Sequence, residues 1–285
     1  MKLLYLTAAV YYLLMFVRII TKILEKGMSI KYLKLTLISC TLVMTSFAKA
    51  GIINDTNVTN DVIFGSGNAN GFFTVAQDNG IEIGLRGKLR HNLTGSPENT
   101  FNSNGDGTYT FDAGIAPTQA SPTAVWSYEW SINSDYLEST GANLSDYIFE
   151  LSIDKDPTAG VDFFTFNLFD GYFDHAIGTN ATGNGGGSVA ANLTDFNSLI
   201  AINNLAQNSW KPHWILGTLG FDPTLDATYD ISIAAWSRTQ PSDLLVRNTI
   251  QVIAGNGATA VPEPSTLAIF MLALTGLVFR RIKKR

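Results

Sequence analysis

The chain has 285 residues, 46% of them hydrophobic, and a formal net charge of −5 at pH 7. This charge is unevenly distributed, because residues 51–261 hold seven Lys and Arg against 22 Asp and Glu, a net charge of 7 − 22 = −15, while both ends are basic. So acidic a body is unsuited to nucleic acid, whose phosphates must be neutralised by cations. The single cysteine, Cys40, lies near the N-terminus, so the body has neither a disulfide nor a thiolate ligand.

The N-terminal region contains two apolar stretches, one on each side of Met28. From Met28 the order is a positive region, an apolar region and an Ala-x-Ala site formed by Ala48 and Ala50, which is typical of a secretory signal peptide. We therefore interpret residues 28–50 as a signal for the Sec export machinery. Residues 1–27 are then either an over-called start or an extra apolar segment.

Cys40 offers a different interpretation of the same signal. The residues before it, Leu37-Ile38-Ser39, loosely resemble the lipobox of bacterial lipoproteins. The apolar run before Cys40 is too short for a lipoprotein signal, and the run after it continues to the Ala-x-Ala site. Cleavage after Ala50 is the favoured alternative.

Residues 51–254 are predicted to form one body made almost entirely of short strands. Asn79-Gly80 separates two apolar runs, which is a strong hairpin signal. Residues 126–132 alternate between apolar and polar side chains, which predicts one buried face and one wet face. The predicted strands are 71–76, 81–85, 108–111, 126–132, 147–153, 161–168, 229–236 and 249–254, with 147–153 and 161–168 forming a second hairpin.

The remaining segments of the body carry weaker signals. Residues 195–205 fit a short helix about as well as a strand, and we expect a helix. The glycine-rich residues 183–188 are expected to be a flexible surface turn, and residues 255–264 a linker. The fold class that follows is all-β, an antiparallel β-sandwich or jelly roll. An N-terminal signal or apolar helix would precede it and a C-terminal transmembrane sorting helix would follow it.

The C-terminal residues 265–285 follow a kinked entry formed by Pro262, Glu263 and Pro264, where a helix cannot continue. Residues 267–279 carry no charge, and five of the last six residues are Lys or Arg. Thirteen residues are short for a membrane span, but a basic flank is typical of a cytoplasmic end. A basic amphipathic tail lying on a surface is the alternative.

This tail resembles the PEP-CTERM sorting tail of exported bacterial proteins. The resemblance is carried by Pro262-Glu263-Pro264, by the apolar stretch and by the basic end with Arg280 and Arg281. It implies recognition by exosortase, a processing enzyme of the inner membrane, and removal of the tail near the motif. Many carriers of such tails are associated with extracellular polysaccharide or biofilm, and their bodies are unrelated to one another.

Three groups of residues are candidates for binding or chemistry. Asp154, Asp156 and Asp162 offer loop carboxylates of the kind that bind Ca²⁺, although Asp is also a common turn residue. Asp174 next to His175 could be a base with its orienting carboxylate or an ordinary structural pair. None of the three histidines, His91, His175 and His213, has a metal-binding spacing.

The tryptophans are the remaining candidates. Trp126, Trp130 and Trp236 lie in predicted strands and are expected in the core. Trp210 and Trp214, in a loop-like context, are the candidates for a surface patch that stacks on sugar rings.

We therefore expect a secreted, non-enzymatic protein of the cell envelope or extracellular matrix. It would be held briefly in the inner membrane by its tail and have a structural or adhesive body without a cofactor, Ca²⁺ excepted. The alternatives are a carbohydrate-binding module that binds extracellular polysaccharide and, behind it, a glycan hydrolase that uses the carboxylates.

Overall fold

The structure is a computed structural model, and it describes residues 51–171 and 173–258. The described residues form strands with few helices. The strands are β1 (Gly51–Thr56), β2 (Phe73–Asp78), β3 (Ile81–Leu89), β4 (Thr108–Phe111), β5 (Trp126–Asn133), β6 (Tyr147–Asp154), β7 (Phe163–Asn167), β8 (Ala176–Gly178), β9 (Leu205–Trp210), β10 (Ala227–Ser237) and β11 (Leu244–Ala254). The α-helices are α1 (Leu193–Ile200) and α2 (Pro212–Leu216), and single 3₁₀ turns span Leu144–Asp146 and Gly217–Leu219.

Six strands form one sheet in the order β1-β2-β3-β5-β9-β8, with all neighbours antiparallel. The hairpin predicted at Asn79-Gly80 is confirmed, because Asp78 pairs with Ile81 across that turn. Both turn residues have positive φ, 51° at Asn79 and 77° at Gly80. This is the backbone of a type I′ turn, whose twist matches that of the flanking strands.

The other five strands form a second sheet in the order β4-β11-β10-β6-β7. The predicted hairpin of β6 and β7 is confirmed, with Asp154 opposite Phe163. One pair departs from the antiparallel expectation, because β4 runs parallel to β11. The parallel position suits β4 because Tyr109 and Phe111 are buried there and join the core.

A single apolar core joins the two sheets. The six-stranded sheet contributes the buried aromatic and aliphatic side chains of β3 and β5, and the five-stranded sheet those of β6, β10 and β11. Asn248 of β11 is fully buried and donates from Nδ2 to the Thr74 carbonyl at 2.6 Å and the Ile83 carbonyl at 2.9 Å, so a hydrogen-bonded side chain also connects the sheets. The all-β prediction is confirmed, and the arrangement fits a β-sandwich.

The prediction that one face of β5 is wet is wrong. All eight residues of β5 are buried. The second face is polar, as the sequence pattern indicated, but residues 57–72 and the glycine-rich loop 183–188 lie over it. We call this surface the covered polar face, and its buried side chains include Glu82, Arg86, Lys88, Glu129, Ser131 and Gln207.

Hydrogen bonds attach the covering segment to this face. Gln207 accepts from the Ile63 amide at 2.8 Å and donates to the Asp61 carbonyl at 3.1 Å. Glu82 accepts from both the amide and the hydroxyl of Thr59. Because buried polar groups are costly unless they are hydrogen-bonded, the covering segment and the polar side chains require each other.

An ion group lies at the centre of the covered polar face. Arg86 Nε donates to Glu129 Oε2 at 2.7 Å, its Nη2 lies 2.6 Å from the same oxygen, and Lys88 Nζ lies 3.4 Å from Glu129 Oε1. The guanidinium is stacked between the rings of Phe73 and Phe101, at 4.0 and 3.9 Å from their centroids. Burial lowers the pKa of Arg86, and the Glu129 carboxylate opposes that shift. The ion pair is therefore fully enclosed.

The helix predicted over 195–205 is confirmed in its first half only. It begins after Asn192, whose side chain accepts from the Asp195 amide at 3.0 Å and caps the first turn. It ends at Ile200, because Leu205 already starts β9 and pairs with Asn133. Tertiary strand pairing thus decides the second half of a segment whose local pattern suited both structures.

The predicted terminal segments fall largely outside the described residues. Those parts are 1–27, the signal peptide 28–50 with Ala48 and Ala50, and residues 265–285. Within the described ranges, β1 begins at Gly51, β11 ends at Ala254, and no helix is long and apolar enough to cross a membrane.

We expect Glu129→Ala to lower the free energy of unfolding by about 3–5 kcal/mol, because it leaves Arg86 and Lys88 buried without a counter-charge. Urea denaturation of the purified protein at pH 7 measures this loss. Asp162→Ala is the matched control, since Asp162 pairs with Lys155 on the exposed surface and its loss should cost less than about 1 kcal/mol. Equal losses for the two variants would contradict the central role of the buried ion group.

Candidate functional site

His175 is buried and serves the structure. Its Nε2–H donates to the Leu168 carbonyl at 3.1 Å, and its Nδ1 accepts from Asn208 Nδ2 at 3.1 Å. The ring lies edge-on to Trp130 at 4.8 Å and stacks on Phe173 at 5.3 Å. Both nitrogens are thus occupied by structural hydrogen bonds, and the ring is enclosed by aromatic side chains. Of the two alternatives for Asp174-His175, the structural one matches these contacts.

Trp210 is also buried, which corrects the expectation of a surface position. Only 4% of it is exposed, because it is the last residue of β9 and pairs with Tyr128 of β5. Its ring stacks on Phe166 at 6.1 Å and lies edge-on to Trp130 at 5.9 Å. The prediction was wrong because strand β9 ends at this residue. Lys211 and Pro212 follow immediately and make the local sequence look like a loop.

Trp214 does reach the surface, with 53% of it exposed. It lies on α2, the five-residue helix that begins at Pro212, a residue whose fixed φ suits a first helical position. Lys211 Nζ lies over the Trp214 ring, 5.5 Å from its centroid, within the range of a cation–π interaction. Of the two predicted surface tryptophans, only Trp214 is exposed.

The sheet topology brings two more basic residues to this end of the molecule. Strands β3 and β9 both run antiparallel to β5. Their C-terminal ends therefore lie at the same end of the sheet, on either side of Trp126, where β5 begins. Arg90 and His91 follow β3, and both of their amides donate to the Val125 carbonyl. We call Arg90, His91, Lys211, His213 and Trp214 the basic end cluster.

The pKa values indicate that these groups are close to one another. Burial lowers the pKa of Lys211, and the positive charge of Arg90 lowers it further. Burial also lowers the pKa of His213, with further contributions from Lys211 and His91. The pKa of His91 is lowered by burial, with Lys211 and Arg90 adding to the shift and the bond to Gly95 opposing it. Sequence reasoning did not group these residues, since 211 − 90 = 121 positions separate Arg90 from Lys211.

The three acidic loop residues are engaged in the β6–β7 connection. Asp154 Oδ1 accepts from the amides of Asp156 at 3.0 Å and Asp162 at 2.8 Å, and Lys155 pairs with Asp162. Burial raises the pKa of Asp154. No group of three or more His, Cys, Asp or Glu is positioned to hold a metal ion in the described part of the chain. Calcium binding by Asp154, Asp156 and Asp162 stays a prediction.

The glycine-rich loop 183–188 lies at the surface, as expected, with every residue except the half-buried Gly187 exposed, and backbone hydrogen bonds attach it to the body. The amides of Gly185 and Gly187 donate to the carbonyls of Val62 and Ile63. A Cβ at Gly187 would lie 2.7 Å from the Ile63 carbonyl oxygen, so a glycine is required for this close approach. The loop serves to hold the covering segment on the sheet.

A polar cleft of about 300 Å³ lies at the opposite end of β5 and was not anticipated. Asn133, Asn180 and Asn204 form a side-chain network there, with Asn180 Oδ1 accepting from Asn133 at 2.7 Å and from Asn204 at 2.9 Å. Asp135 accepts from the amides of residues 139–141, and these bonds hold its pKa below its usual range although burial opposes the shift. The polar groups at this end are largely satisfied by one another.

Comparison with known proteins concerns the tail. The family model of the PEP-CTERM protein-sorting motif matches residues 260–284. The chain carries a PEP-CTERM sorting domain. No curated protein matches the chain, and no solved structure matches it either. The motif resemblance seen in the sequence is confirmed, while the β-rich body has no counterpart in these comparisons.

The PEP-CTERM motif identifies the chain as an exported protein that is sorted by exosortase, its processing partner, to the cell envelope. The predicted sorting residues Pro262, Glu263, Pro264, Arg280 and Arg281 all lie within the matched residues and outside those that the structure describes.

The buried imidazole of His175 predicts a pH-dependent stability of the body. Burial lowers the pKa of His175 from 6.5 to about 4, so the unfolded chain binds a proton that the folded chain does not. Above pH 6.5, neutral His175 makes its full contribution to the free energy of unfolding. As the pH falls from 6.5 towards 4, this contribution of roughly 3 kcal/mol is lost. Urea denaturation at several pH values should show a flatter pH profile for His175→Gln than for the wild type. His213→Gln is the control, because His213 is only partly buried. Parallel pH profiles for the wild type and His175→Gln would show that His175 does not cause the pH dependence of stability.

Proposed function

We propose that the protein is a structural or adhesive component of the cell envelope or extracellular matrix, without enzymatic activity. The observation that carries the proposal is the sorting motif at residues 260–284, which gives the body an exported destination. The signal peptide expected at residues 28–50 and the Sec machinery would bring the body across the membrane. The tail would then hold it in the inner membrane until exosortase acts.

The body has properties that suit this role. The only cysteine of the chain, Cys40, precedes Ala50, so stability of the body outside the cell would rest on packing and buried hydrogen bonds rather than on disulfides. The buried carboxylate of Glu129 and the imidazole of His175 are engaged, in the ion pair with Arg86 and in hydrogen bonds to Leu168 and Asn208. The excess of acidic residues favours a soluble surface.

A second candidate function is binding of extracellular polysaccharide. The observation that favours it is the exposed ring of Trp214, a flat apolar face beside the charge of Lys211. The glycan hydrolase alternative has no comparable support, since Asp154 and Asp162 are used in the loop between β6 and β7.

Replacing Pro262, Glu263 and Pro264 together with alanine should leave the protein unprocessed in the inner membrane, because exosortase would no longer find its motif. Fractionation of the producing cells and the mass of the recovered protein check this result, with the wild type expected to lose its tail and reach the envelope or matrix. Replacing Pro241, Ser242 and Asp243 with alanine is the control, since it changes an equally polar, exposed turn of the body. Normal processing and release of the first variant would refute the sorting assignment, and wild-type protein found wholly free in the medium would refute the matrix role.

A further inference from the structure

The basic end cluster differs in charge from the rest of the body. Residues 51–261 contain seven cationic side chains, and three of them are paired with carboxylates: Arg86 and Lys88 with Glu129, and Lys155 with Asp162. Of the remaining four, Arg90 and Lys211 come together at the shared end of β3 and β9. No carboxylate of the described residues forms a salt bridge with either one. A body with 22 acidic residues thus concentrates two unpaired cations in one place.

Strand spacing fixes the scale of the cluster. The end of β3 and the end of β9 are separated by β5 alone, so they lie roughly 10 Å apart. Arg90 leaves one strand and Lys211 the other, while the exposed ring of Trp214 lies beneath Lys211 Nζ. The backbones that carry the two cations are thus close enough for both side chains to reach one ligand of one or two rings.

Two imidazole nitrogens in the cluster lack partners. His91 is 6% exposed, and its Nδ1–H donates to the Gly95 carbonyl at 2.9 Å, so that its Nε2 is left with a free lone pair. His91 Nε2 and His213 Nδ1 are both buried and without a hydrogen bond among the described residues. A buried polar atom without a partner is uncommon in a native protein and calls for an explanation, such as an ordered water or a bound ion. The two nitrogens are therefore polar groups of the cluster that the described residues leave unsatisfied.

The chemistry of the cluster favours one class of ligand over other anions. A nucleic acid or an anionic lipid surface presents many closely spaced phosphates, and two cations cannot neutralise them. A small inorganic anion would use Arg90 and Lys211 but would leave the ring of Trp214 unused. A carboxylate on a sugar ring uses both, because the cations can bind the carboxylate and the indole can stack on the apolar face of the ring.

We propose that the basic end cluster binds the uronic acid residues of an acidic polysaccharide, with Arg90 and Lys211 on the carboxylates and Trp214 on a sugar ring. This rests on the second candidate function above and names its ligand class. The acidic remainder of the body repels the same polymer, so binding is confined to this end of the molecule.

Isothermal titration of the full-length chain with tetragalacturonate at low salt tests the proposal. Arg90→Gln with Lys211→Gln should weaken binding about tenfold or more, because each cation makes a charge-assisted contact that glutamine cannot make. Trp214→Ala should weaken it about tenfold, and Trp214→Phe, which keeps a smaller ring, should lose less. Added salt should weaken binding to the wild type.

Matched variants separate the cluster from general effects of charge and exposure. Lys155→Gln with Arg238→Gln removes two cations elsewhere, and Phe163→Ala removes a ring that is 41% exposed on the five-stranded sheet. Both should bind tetragalacturonate as the wild type does. Melting temperatures of all variants are measured alongside; if Trp214→Ala is unfolded, Trp214→Phe and the double glutamine variant carry the comparison.

Two further ligands test whether the cluster requires both a carboxylate and a sugar ring. The neutral galactose tetramer should bind at least about tenfold more weakly than tetragalacturonate, because it has no carboxylates for Arg90 and Lys211. Tetraglutamate, which has charge but no ring, should also bind more weakly and should not respond to Trp214→Ala. Equal binding of either ligand, or no binding of tetragalacturonate, would overturn the proposal. These outcomes leave the sorting assignment untouched, since that assignment is read from processing of the tail.

Discussion

The body depends on the ion pair of Arg86 and Glu129, because that pair makes a sheet with two buried faces possible. A sheet in a sandwich usually buries one apolar face and leaves the other to water. Here the outer face is buried as well, and it carries charges and amides beside small apolar clusters around Phe73 and Leu205. The covering segment supplies what water would have supplied: Arg86 Nη1 donates to the Ala69 carbonyl at 3.0 Å and to the Gly71 carbonyl at 2.6 Å. Desolvating these charges costs energy, and only the combination of counter-charge, carbonyls and stacked rings offsets it.

The sequence predicted eight of the eleven described strands, missing β1, β8 and β9, and it predicted the environment of the second faces poorly. Alternation in β5 correctly separated Trp126 and Tyr128 from Ser127 and Glu129, since the two sets do lie on opposite faces. What alternation cannot tell is whether a polar face meets solvent or another segment. The cover comes from residues 57–72, which lack a regular period and therefore carry no signal in a reading based on periodicity. The same limit explains why the contact between the surface loop 183–188 and residues 62–63 was not foreseen, although its glycines permit that close approach.

The candidate site, too, was predicted from the sequence only in part. That Trp214 is exposed and Trp210 buried follows from where β9 ends, a boundary of the kind that local pattern places least reliably. The basic end cluster was beyond sequence reasoning, because Arg90 and Lys211 are brought together by the order β3-β5-β9 and by nothing in their local sequence. The tail is the opposite case. Its motif, apolar stretch and basic end are contiguous, so the sequence alone was sufficient to identify it.

The short helix that presents Trp214 connects the core to the surface. A helix of five residues does not hold its shape alone, because nucleating a helix costs more than so few hydrogen bonds return. Buried residues hold α2 on both sides: Trp210 before it, Pro212 at its first position and Leu216 at its end. Trp210 is in turn fixed by Trp130, Phe166 and His175. The buried aromatic cluster therefore determines where the exposed ring lies, and a ligand that stacks on Trp214 meets a ring that is already in position, which lowers the entropic cost of binding. In this way the residue wrongly expected at the surface contributes to a surface site from within the core.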